Sequence, residues 1–378
     1  MKIKLLYVLA LMTSLIEIII LNSCKKGNSC QNCPGTNQPP IVNAQLVPIG
    51  TLSQARRDLY TATAGNKILF AGGLGTGDTV STRVDIYDFV TNTWSTAELS
   101  QGHHGMTVAT IGNKIFFSGG GYDDFWNGWI NVTRVDIYDA GANTWSTAEL
   151  SEGRGFLASA TLYNKFVFFA GGYYWNNYDY FSNRVDIYNN TTNTWSTASL
   201  SEGRQGLSAI QAGNKIYFAG GTNHSGVSKK IDIYDGATDS WSISTLIEGK
   251  EYFGSIAVAN KIYWAGGIKS LLPQIPSSLV EIRDINTQVS TLARLSQEKA
   301  AFGTVMKGNE IVFFMGTPST NPKNFDIYNT ANNIWSIGTL NKGLNYPSII
   351  SVNNKIYVAG GEFSSGGGLS NQVSLLEW

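Results

Sequence analysis

A repeated unit of about 50 residues limits most strongly what this chain can fold into. The asparagine of an NKI-like turn recurs at seven positions: Asn66, Asn113, Asn164, Asn214, Asn260, Asn309 and Asn354. Each of these turns is followed by an aromatic-rich run that ends in Gly-Gly, except in the sixth unit, where Met315-Gly316 stands instead. A run such as VDIYD comes next, and then a turn and, in most units, a tryptophan. Repeats at this period predict units that stack against one another, because one unit cannot bury its own faces.

The runs within each unit have the character of β-strands. Gly112-Asn113 and Gly213-Asn214 suit the positive φ angles of two-residue hairpin turns. Runs such as KIFFSGG and KIYFAGG carry apolar groups on both faces, which is expected of a sheet covered on each side. The composition agrees, since the chain has 41 glycines, 12% aromatic residues and only 14% charged residues. The sequence therefore predicts an all-β protein.

Four β-type runs per unit, a double glycine and a spaced Tyr and Trp resemble the Kelch repeat, and the resemblance covers residues 41–378. It implies a seven-bladed β-propeller in which each blade is a four-stranded antiparallel sheet. Units five and six depart from the pattern: Arg283 and Val289 stand where Tyr and Trp are expected, and unit six has Met315. We expect looser packing in these two blades.

The two ends of the chain predict how the ring closes. The sequence stops after VSLLEW, which aligns with a third strand, so the seventh blade lacks its fourth. Alignment of the repeats puts Val47 where Trp94 lies in the first unit. We therefore expect the segment that begins at Ala44 to supply the outermost strand of blade seven, which leaves no open edge between the first and last blades.

The first 40 residues have a different composition from the repeats. Lys2 and Lys4 precede an apolar run over residues 5–20, and Cys24 follows a small residue. This layout resembles a bacterial lipoprotein signal over residues 1–23, which implies cleavage before Cys24 and lipid on that residue. An uncleaved helical anchor is the alternative. Residues 24–40 read as a flexible tether in which Cys30 and Cys33 are expected to form a local disulfide rather than half of a metal site.

The long loops after each Gly-Gly and the links between blades should share one face of a propeller, opposite the tight turns. Two adjacent long loops, in units two and three, are rich in aromatic residues. The candidate ligand-binding residues on them are Tyr122, Phe125, Trp126, Trp129, Tyr173, Tyr174, Trp175, Tyr178 and Tyr180. Such rings, interleaved with Asn and Asp, suit a sugar or a peptide anchor. The alternative is that these loops fold over each other and bury their own rings.

A basic residue stands ten positions before the asparagine in six of the seven units. These residues are Arg56, His103, Arg154, Arg204, Lys250 and Lys299, with Leu344 at the seventh position. We expect them at the mouth of the channel, where they could hold a carboxylate or another anion. Glu152, Glu202 and Glu248, two residues earlier, favour the alternative that the charges are neutralised within the framework. The aspartate of each VDIYD-like run is expected to be structural.

Several functional classes are excluded. The 27 basic and 27 acidic residues cancel, so no positive field for a nucleic acid exists. The copper chemistry of galactose oxidase, a Kelch-type enzyme, needs a cysteine beside the site, and the three cysteines of this chain all precede residue 34. We expect no cofactor and no metal site.

The leading hypothesis is a monomeric, lipid-anchored protein of the bacterial cell envelope that binds a glycan or a protein partner on its long-loop face. The alternatives are a sugar-acid mutarotase or epimerase that uses arginines such as Arg154 and Arg204 at the channel mouth, and a non-catalytic structural scaffold.

Overall fold

The computed structural model describes residues 39–124, 128–175, 179–317, 321–364 and 366–378. Seven four-stranded antiparallel sheets stand around a central channel, and the innermost strand of each packs beside the innermost strand of the next. The structure is a seven-bladed β-propeller, as the repeats predicted. Residues 1–38, which include the proposed signal and the three cysteines, lie outside the described residues. In the ranges that are described, no helix has the length and hydrophobicity needed to span a membrane.

The strands of each blade are numbered first to fourth from the channel outward. Blade 1 contains Tyr60–Ala64, Lys67–Ala71, Arg83–Asp88 and Thr93–Glu98. Blade 2 contains Thr107–Ile111, Lys114–Ser118, Arg134–Asp139 and Thr144–Glu149. Blade 3 contains Ala158–Leu162, Phe166–Ala170, Arg184–Asn189 and Thr194–Ser199. Blade 4 contains Ser208–Ala212, Lys215–Ala219, Lys230–Asp235 and Ser240–Thr245.

The remaining blades follow the same order. Blade 5 contains Gly254–Val258, Lys261–Ala265, Leu279–Asp284 and Ser290–Arg294. Blade 6 contains Gly303–Lys307, Glu310–Phe314, Asn324–Asn329 and Ile334–Thr339. Blade 7 contains Ser348–Val352, Lys355–Ala359, Gln372–Glu377 and, from the other end of the chain, Gln45–Thr51.

The second strand of each blade supplies most of the core. In blade 1, residues 68–71 are fully buried, because neighbouring blades cover both faces of the sheet. The repeated tryptophan caps this core from outside: the ring of Trp94 lies 4.8 Å from that of Tyr87 and 6.1 Å from that of Phe70. Burial of a side chain such as Phe70 stabilises the fold by about 1.5–3 kcal/mol. The repeated Tyr is therefore a core residue, and the repeated Trp is a half-buried residue that covers the core.

The N-terminal strand completes blade 7, as expected. Gln45–Thr51 pairs antiparallel with Gln372–Glu377, and Val47 lies opposite Leu375. A second pairing was not predicted: Ile41–Asn43 runs parallel to the fourth strand of blade 6 and adds a fifth strand to that sheet. The segment before the closing strand therefore covers the outer edge of one blade and then becomes the edge of the next.

The long loops and the links lie together on one face. After the Gly-Gly pairs, the chain forms two-stranded ribbons such as Gly121–Asp124 with Gly128–Asn131 and Tyr173–Trp175 with Asp179–Phe181. The base of each ribbon is bridged to a link, for example His104 to Gly121. Glycine suits this junction in blade 2, because a Cβ on Gly119, whose φ is +68°, would lie 2.6 Å from the carbonyl oxygen of Arg154. Blade 6 has Met315 at the same position, with a φ of 51°.

Candidate functional site

The six basic link residues do not line the mouth of the channel. Their side chains are fully buried, at 0% exposure, and point into the blade that each link enters. Arg154 shows the arrangement: it donates to the carbonyl oxygens of Gly171 (2.7 Å), Glu152 (3.0 Å) and Phe169 (3.0 Å). A guanidinium removed from water needs such partners for all its donors. The link cations are therefore closed to a ligand, and the idea that they form an anion pocket is wrong.

Their charge is balanced by the repeated aspartate of the third strand. The ion pairs are Arg56–Asp85, Arg154–Asp186 (2.7 Å), Arg204–Asp232 and Lys299–Asp326 (2.8 Å). The second oxygen of each aspartate accepts a backbone N–H of the same link, from Ser53, Ser151, Ser201 and Ser296. Burial lowers the pKa of Arg56, Arg204 and Lys299, and the paired carboxylate opposes that shift. These pairs fix each link onto its blade.

Blade 2 has an incomplete version of this pair. His103 occupies the basic position and its Nδ1 contacts the carbonyl oxygen of Gly119. Its Nε2 and the Oδ2 of Asp136 are both buried, and neither has a hydrogen-bond partner among the described residues. Burial lowers the pKa of His103, so the ring is neutral at pH 7. The imidazole is too short to make the contact that arginine makes in blades 3 and 4.

Blade 5 replaces the pair by a different one. Glu281 takes the aspartate position, and Arg283, which replaces the repeated tyrosine, donates to it at 2.6 Å. The guanidinium of Arg283 also lies over the ring of Trp264, at 5.2 Å. Lys250 donates only to backbone carbonyls, and burial lowers its pKa to about 8. The expected loose packing at Arg283 is wrong, because this side chain is 5% exposed and its guanidinium donates four hydrogen bonds.

The aromatic loop residues fall into three groups. Phe125, Trp126 and Tyr178 lie outside the described residues. Trp129 and Trp175 lie in ribbon strands, opposite Asp123 and Asp179. The side chains of Tyr122, Tyr173, Tyr174 and Tyr180 are described, and none of them is fully buried.

The blade 3 ribbon packs part of its aromatic surface against itself. Tyr174 and Tyr180 are cross-strand partners with ring centroids 6.5 Å apart, and Tyr173 and Phe181 are 5.8 Å apart. Phe181 also meets the ring of His224 from the next ribbon at 4.9 Å. Tyr180 remains 49% exposed. The rings therefore stiffen the ribbon and still present one phenol to solvent.

A wide cavity lies between the long loop of blade 1 and the ribbon of blade 2. Its volume is about 700 Å³. Tyr122 forms one wall, and Asp78, Thr79, Thr82 and His104 supply polar groups. The carboxylate of Asp78 is 72% exposed and is held by Arg57 at 2.8 Å. One aromatic face beside hydroxyl and carboxylate groups is an arrangement that can bind a polyhydroxylated ligand.

A second group of residues, which the sequence did not single out, surrounds the entrance of the central channel. The residue two positions after each basic position has a left-handed backbone in all seven blades, with φ between 48° and 72°: Asp58, Gly105, Phe156, Gly206, Tyr252, Ala301 and Tyr346. Backbone hydrogen bonds join most of these residues around the channel, as from Phe156 N to Gly105 O (2.6 Å) and from Tyr252 N to Gly206 O (3.0 Å). Their constant spacing, two positions after each basic position of the repeat, is the sequence signal that could have identified these residues.

This entrance leads into two adjoining cavities, an outer one of about 350 Å³ and an inner one of about 420 Å³. Both contain Asp58, Tyr60 and Tyr252 in their walls, and the outer one adds His104 and Phe156. The hydroxyl of Tyr60 accepts a hydrogen bond from Gly105 N at 2.7 Å. Burial raises the pKa of Asp58, and the adjacent Arg57 opposes that effect. The entrance is therefore aromatic and acidic, where the sequence had predicted a basic one.

Glu251 is the buried acid of this region. It is 3% exposed, and its Oε2 has no hydrogen-bond partner among the residues that the structure describes. Burial alone raises its pKa to about 7. No group of three or more His, Cys, Asp or Glu residues that could hold a metal ion is found within the described ranges.

Comparison with models of protein families gave no match, and comparison with curated proteins gave none either. Among solved structures, the chain is similar to one titled "Structure of YjhT", with a TM-score of 0.55 and 14% sequence identity. The match covers 87% of this chain and 99% of that one. At this identity the likeness supports the propeller fold alone.

Proposed function

We propose that this chain is a binding protein that takes up a glycan on its long-loop face, between the loop of blade 1 and the ribbon of blade 2. The observation that carries the proposal is the cavity of about 700 Å³ with Tyr122 in its wall. A pyranose ring presents C–H groups to an aromatic face and hydroxyls to polar side chains. In this cavity Tyr122 would supply the face, and Thr79, Thr82 and Asp78 would supply the hydrogen bonds.

A protein partner is the second candidate, and the tips of the ribbons favour it. Tyr180 is 49% exposed and Leu272, on the ribbon of blade 5, is 94% exposed. Exposed Tyr and apolar side chains on projecting ribbons are typical anchors of protein interfaces. The sugar-acid enzyme has no such support, because Arg154 and Arg204, which it would use, are fully buried in ion pairs.

We also propose that the chain is a Kelch-type protein of the bacterial cell envelope, anchored by lipid on Cys24. The support is the basic and apolar layout of residues 1–23 and the repeat pattern of residues 41–378. Metabolic labelling with a palmitate analogue tests the anchor. The wild-type chain should take up the label and Cys24→Ser should not; equal labelling of both would contradict the anchor.

The binding proposal is tested by a glycan screen with the full chain, followed by titration of the best ligand. Tyr122→Ala should weaken binding at least about tenfold, because the stacking face is lost. Tyr163→Ala is the matched control: Tyr163 is 50% exposed but lies in a tight turn on the opposite face. A ligand that binds Tyr122→Ala and wild type equally would contradict the glycan site. A loss only in Tyr180→Ala, with a protein ligand, would favour the second candidate.

A further inference from the structure

Blade 7 lacks the buried charged groups that hold the links of the other blades, and a cavity lies in their place. Leu344 stands where the other six units have an arginine, lysine or histidine, and Ser374 stands where they have an acidic residue. Both residues belong to the wall of a cavity of about 180 Å³. Leucine is shorter than arginine, so it leaves open the position that a guanidinium takes in blades 1, 3 and 4.

The backbone of blade 7 keeps the acceptors that bind this guanidinium elsewhere. In blade 4, Arg204 donates to the carbonyl oxygens of Gly220 (2.8 Å) and Lys230 (2.7 Å). Alignment of the repeats puts Gly360 and Gln372 in their places, and both line the cavity. The two frames match, since Gly360 N donates to Gln372 O at 3.0 Å, as Gly220 N does to Lys230 O. The wall therefore offers carbonyl oxygens to an N–H group of a ligand.

The link of blade 7 also keeps the donor that meets the carboxylate elsewhere. In blade 4, Ser201 N donates to Asp232 at 2.9 Å. The corresponding residue of blade 7 is Asn341, which lines the cavity, and the serine at position 374 gives its N–H no carboxylate. The exposed Lys342 belongs to the same wall. A ligand oxygen can therefore accept hydrogen bonds on this side of the cavity.

The charges of the wall favour a neutral ligand. None of its described residues is acidic, and Lys342 takes the position that Glu152, Glu202 and Glu248 have in other links. Blade 5 shows the effect on a cation: Lys250 donates to backbone carbonyl oxygens, and burial lowers its pKa to about 8. A cation without a carboxylate beside it is disfavoured at such a position, and an anion meets the carbonyl oxygens.

We propose that the cavity of blade 7 binds a small neutral molecule with a primary carboxamide or ureido group. The NH₂ of this group donates to the carbonyl oxygens of Gly360 and Gln372, where the guanidinium lies in the other blades. Its carbonyl oxygen accepts from Asn341 N and Lys342, on the side where the carboxylate lies in the other blades. A single neutral group thus replaces both members of the ion pair.

The size and the apolar part of the wall limit the rest of the ligand. A volume of about 180 Å³ corresponds to about six water molecules, or to a ligand of about six heavy atoms. Leu46, Leu344 and Phe363 supply apolar surface. A short alkyl chain on the amide therefore fits this cavity, and a sugar ring with its hydroxyl groups is too large.

The test is a titration of the full chain with three probes of the same shape, followed by the line widths of the probe methyl signals in NMR. The probes are butyramide, the cation butyramidinium and the anion butyrate. Butyramide should bind at least about fivefold more tightly than the other two, because the amidinium has no acceptor for Asn341 N and the carboxylate has no donor for Gly360 O. No binding of butyramide up to about 50 mM, or equal binding of all three probes, would overturn the proposal and leave a cavity that holds water.

Substitutions at the two divergent positions test the assigned site. Ser374→Asp supplies the missing carboxylate and should reverse the preference, so that butyramidinium binds at least about fivefold more tightly than butyramide. Ser196→Asp, the same change at an exposed position of blade 3, should leave the preference for the amide unchanged. A wild-type preference in a folded Ser374→Asp variant would contradict the site.

A double variant decides the question even if Ser374→Asp alone does not fold. Leu344→Arg combined with Ser374→Asp rebuilds the ion pair of blades 1, 3 and 4, so it should fold and should abolish binding of butyramide. Unchanged binding in this variant would refute the site. Because the double variant should keep glycan binding and Tyr122→Ala should keep butyramide binding, failure of this site and failure of the glycan site are distinguishable.

Discussion

Removal of one link cation tests whether the basic residues are framework or ligand site. Arg154→Met removes the four hydrogen bonds that the guanidinium donates and leaves the carboxylate of Asp186 buried without its counter-charge. Loss of one partner of a buried ion pair typically costs about 3–5 kcal/mol. For a body of this size the unfolding entropy is about 0.7 kcal/mol/K, so a loss of 4 kcal/mol lowers Tm by about 6 °C.

The assay is thermal unfolding of the full chain followed by circular dichroism, with urea unfolding as a second measure. The double variant Arg154→Met with Asp186→Asn should recover part of the loss, since the uncompensated charge is gone while an oxygen remains for Ser151 N, which donates to it at 2.9 Å. Glycan binding should be unchanged wherever the variant is folded. A variant with wild-type stability that has lost a ligand would refute this reasoning and restore the anion site.

Three further predictions concern stability. His103→Arg should raise the free energy of unfolding by about 1–2 kcal/mol, because the introduced guanidinium can pair with Asp136 and fewer buried polar atoms are then left without a partner. An unchanged or lower Tm would contradict this. Burial raises the pKa of Glu251 from 4.5 to about 7, so the contribution of its proton to the free energy of unfolding is complete below pH 4.5 and is lost as pH rises through 7. The free energy of unfolding of the wild-type chain should therefore fall by about 3 kcal/mol over this pH range, and urea titrations of Glu251→Gln should not show that fall. The same pH profile in Glu251→Gln and in wild type would contradict the raised pKa of Glu251. Deletion of Gln45–Thr51 should lower Tm far more than deletion of Ile41–Asn43, because only the first removes the fourth strand of blade 7; equal effects would speak against the closure.

The ring of blades was predictable because the repeat determines both the strand pattern and the ring closure. The tryptophan register placed Val47 in the missing strand, and the structure pairs it with Leu375. The parallel strand Ile41–Asn43 could not be predicted in this way, because it has no counterpart in the repeat. The common face of loops and links followed from strand order alone.

The direction of side chains was not predictable from spacing. The repeat assigns Arg154 to a link on the long-loop face, but its partner Asp186 lies 32 positions later in the chain, and only the folded blade shows that they meet. The sequence predicts loose packing at Arg283 because it replaces a tyrosine of the repeat, and the compensation lies in its contact with Glu281. The acidic entrance was missed because Glu251 and Tyr252 adjoin a lysine, which suggested a basic surface.

Closure by the N-terminal strand is the central claim, because this strand joins the two ends of the chain in one blade and completes the ring of seven. The measurement is oxidation of a chain in which Cys24, Cys30 and Cys33 are serines and Val47→Cys is combined with Leu375→Cys. Peptide mass spectrometry should find the two introduced thiols joined without a denaturant, and the control pair Val47→Cys with Gln372→Cys should stay reduced, since Gln372 lies opposite Thr51. Two free thiols in the first variant, or cross-linking of both pairs alike, would contradict the closed propeller.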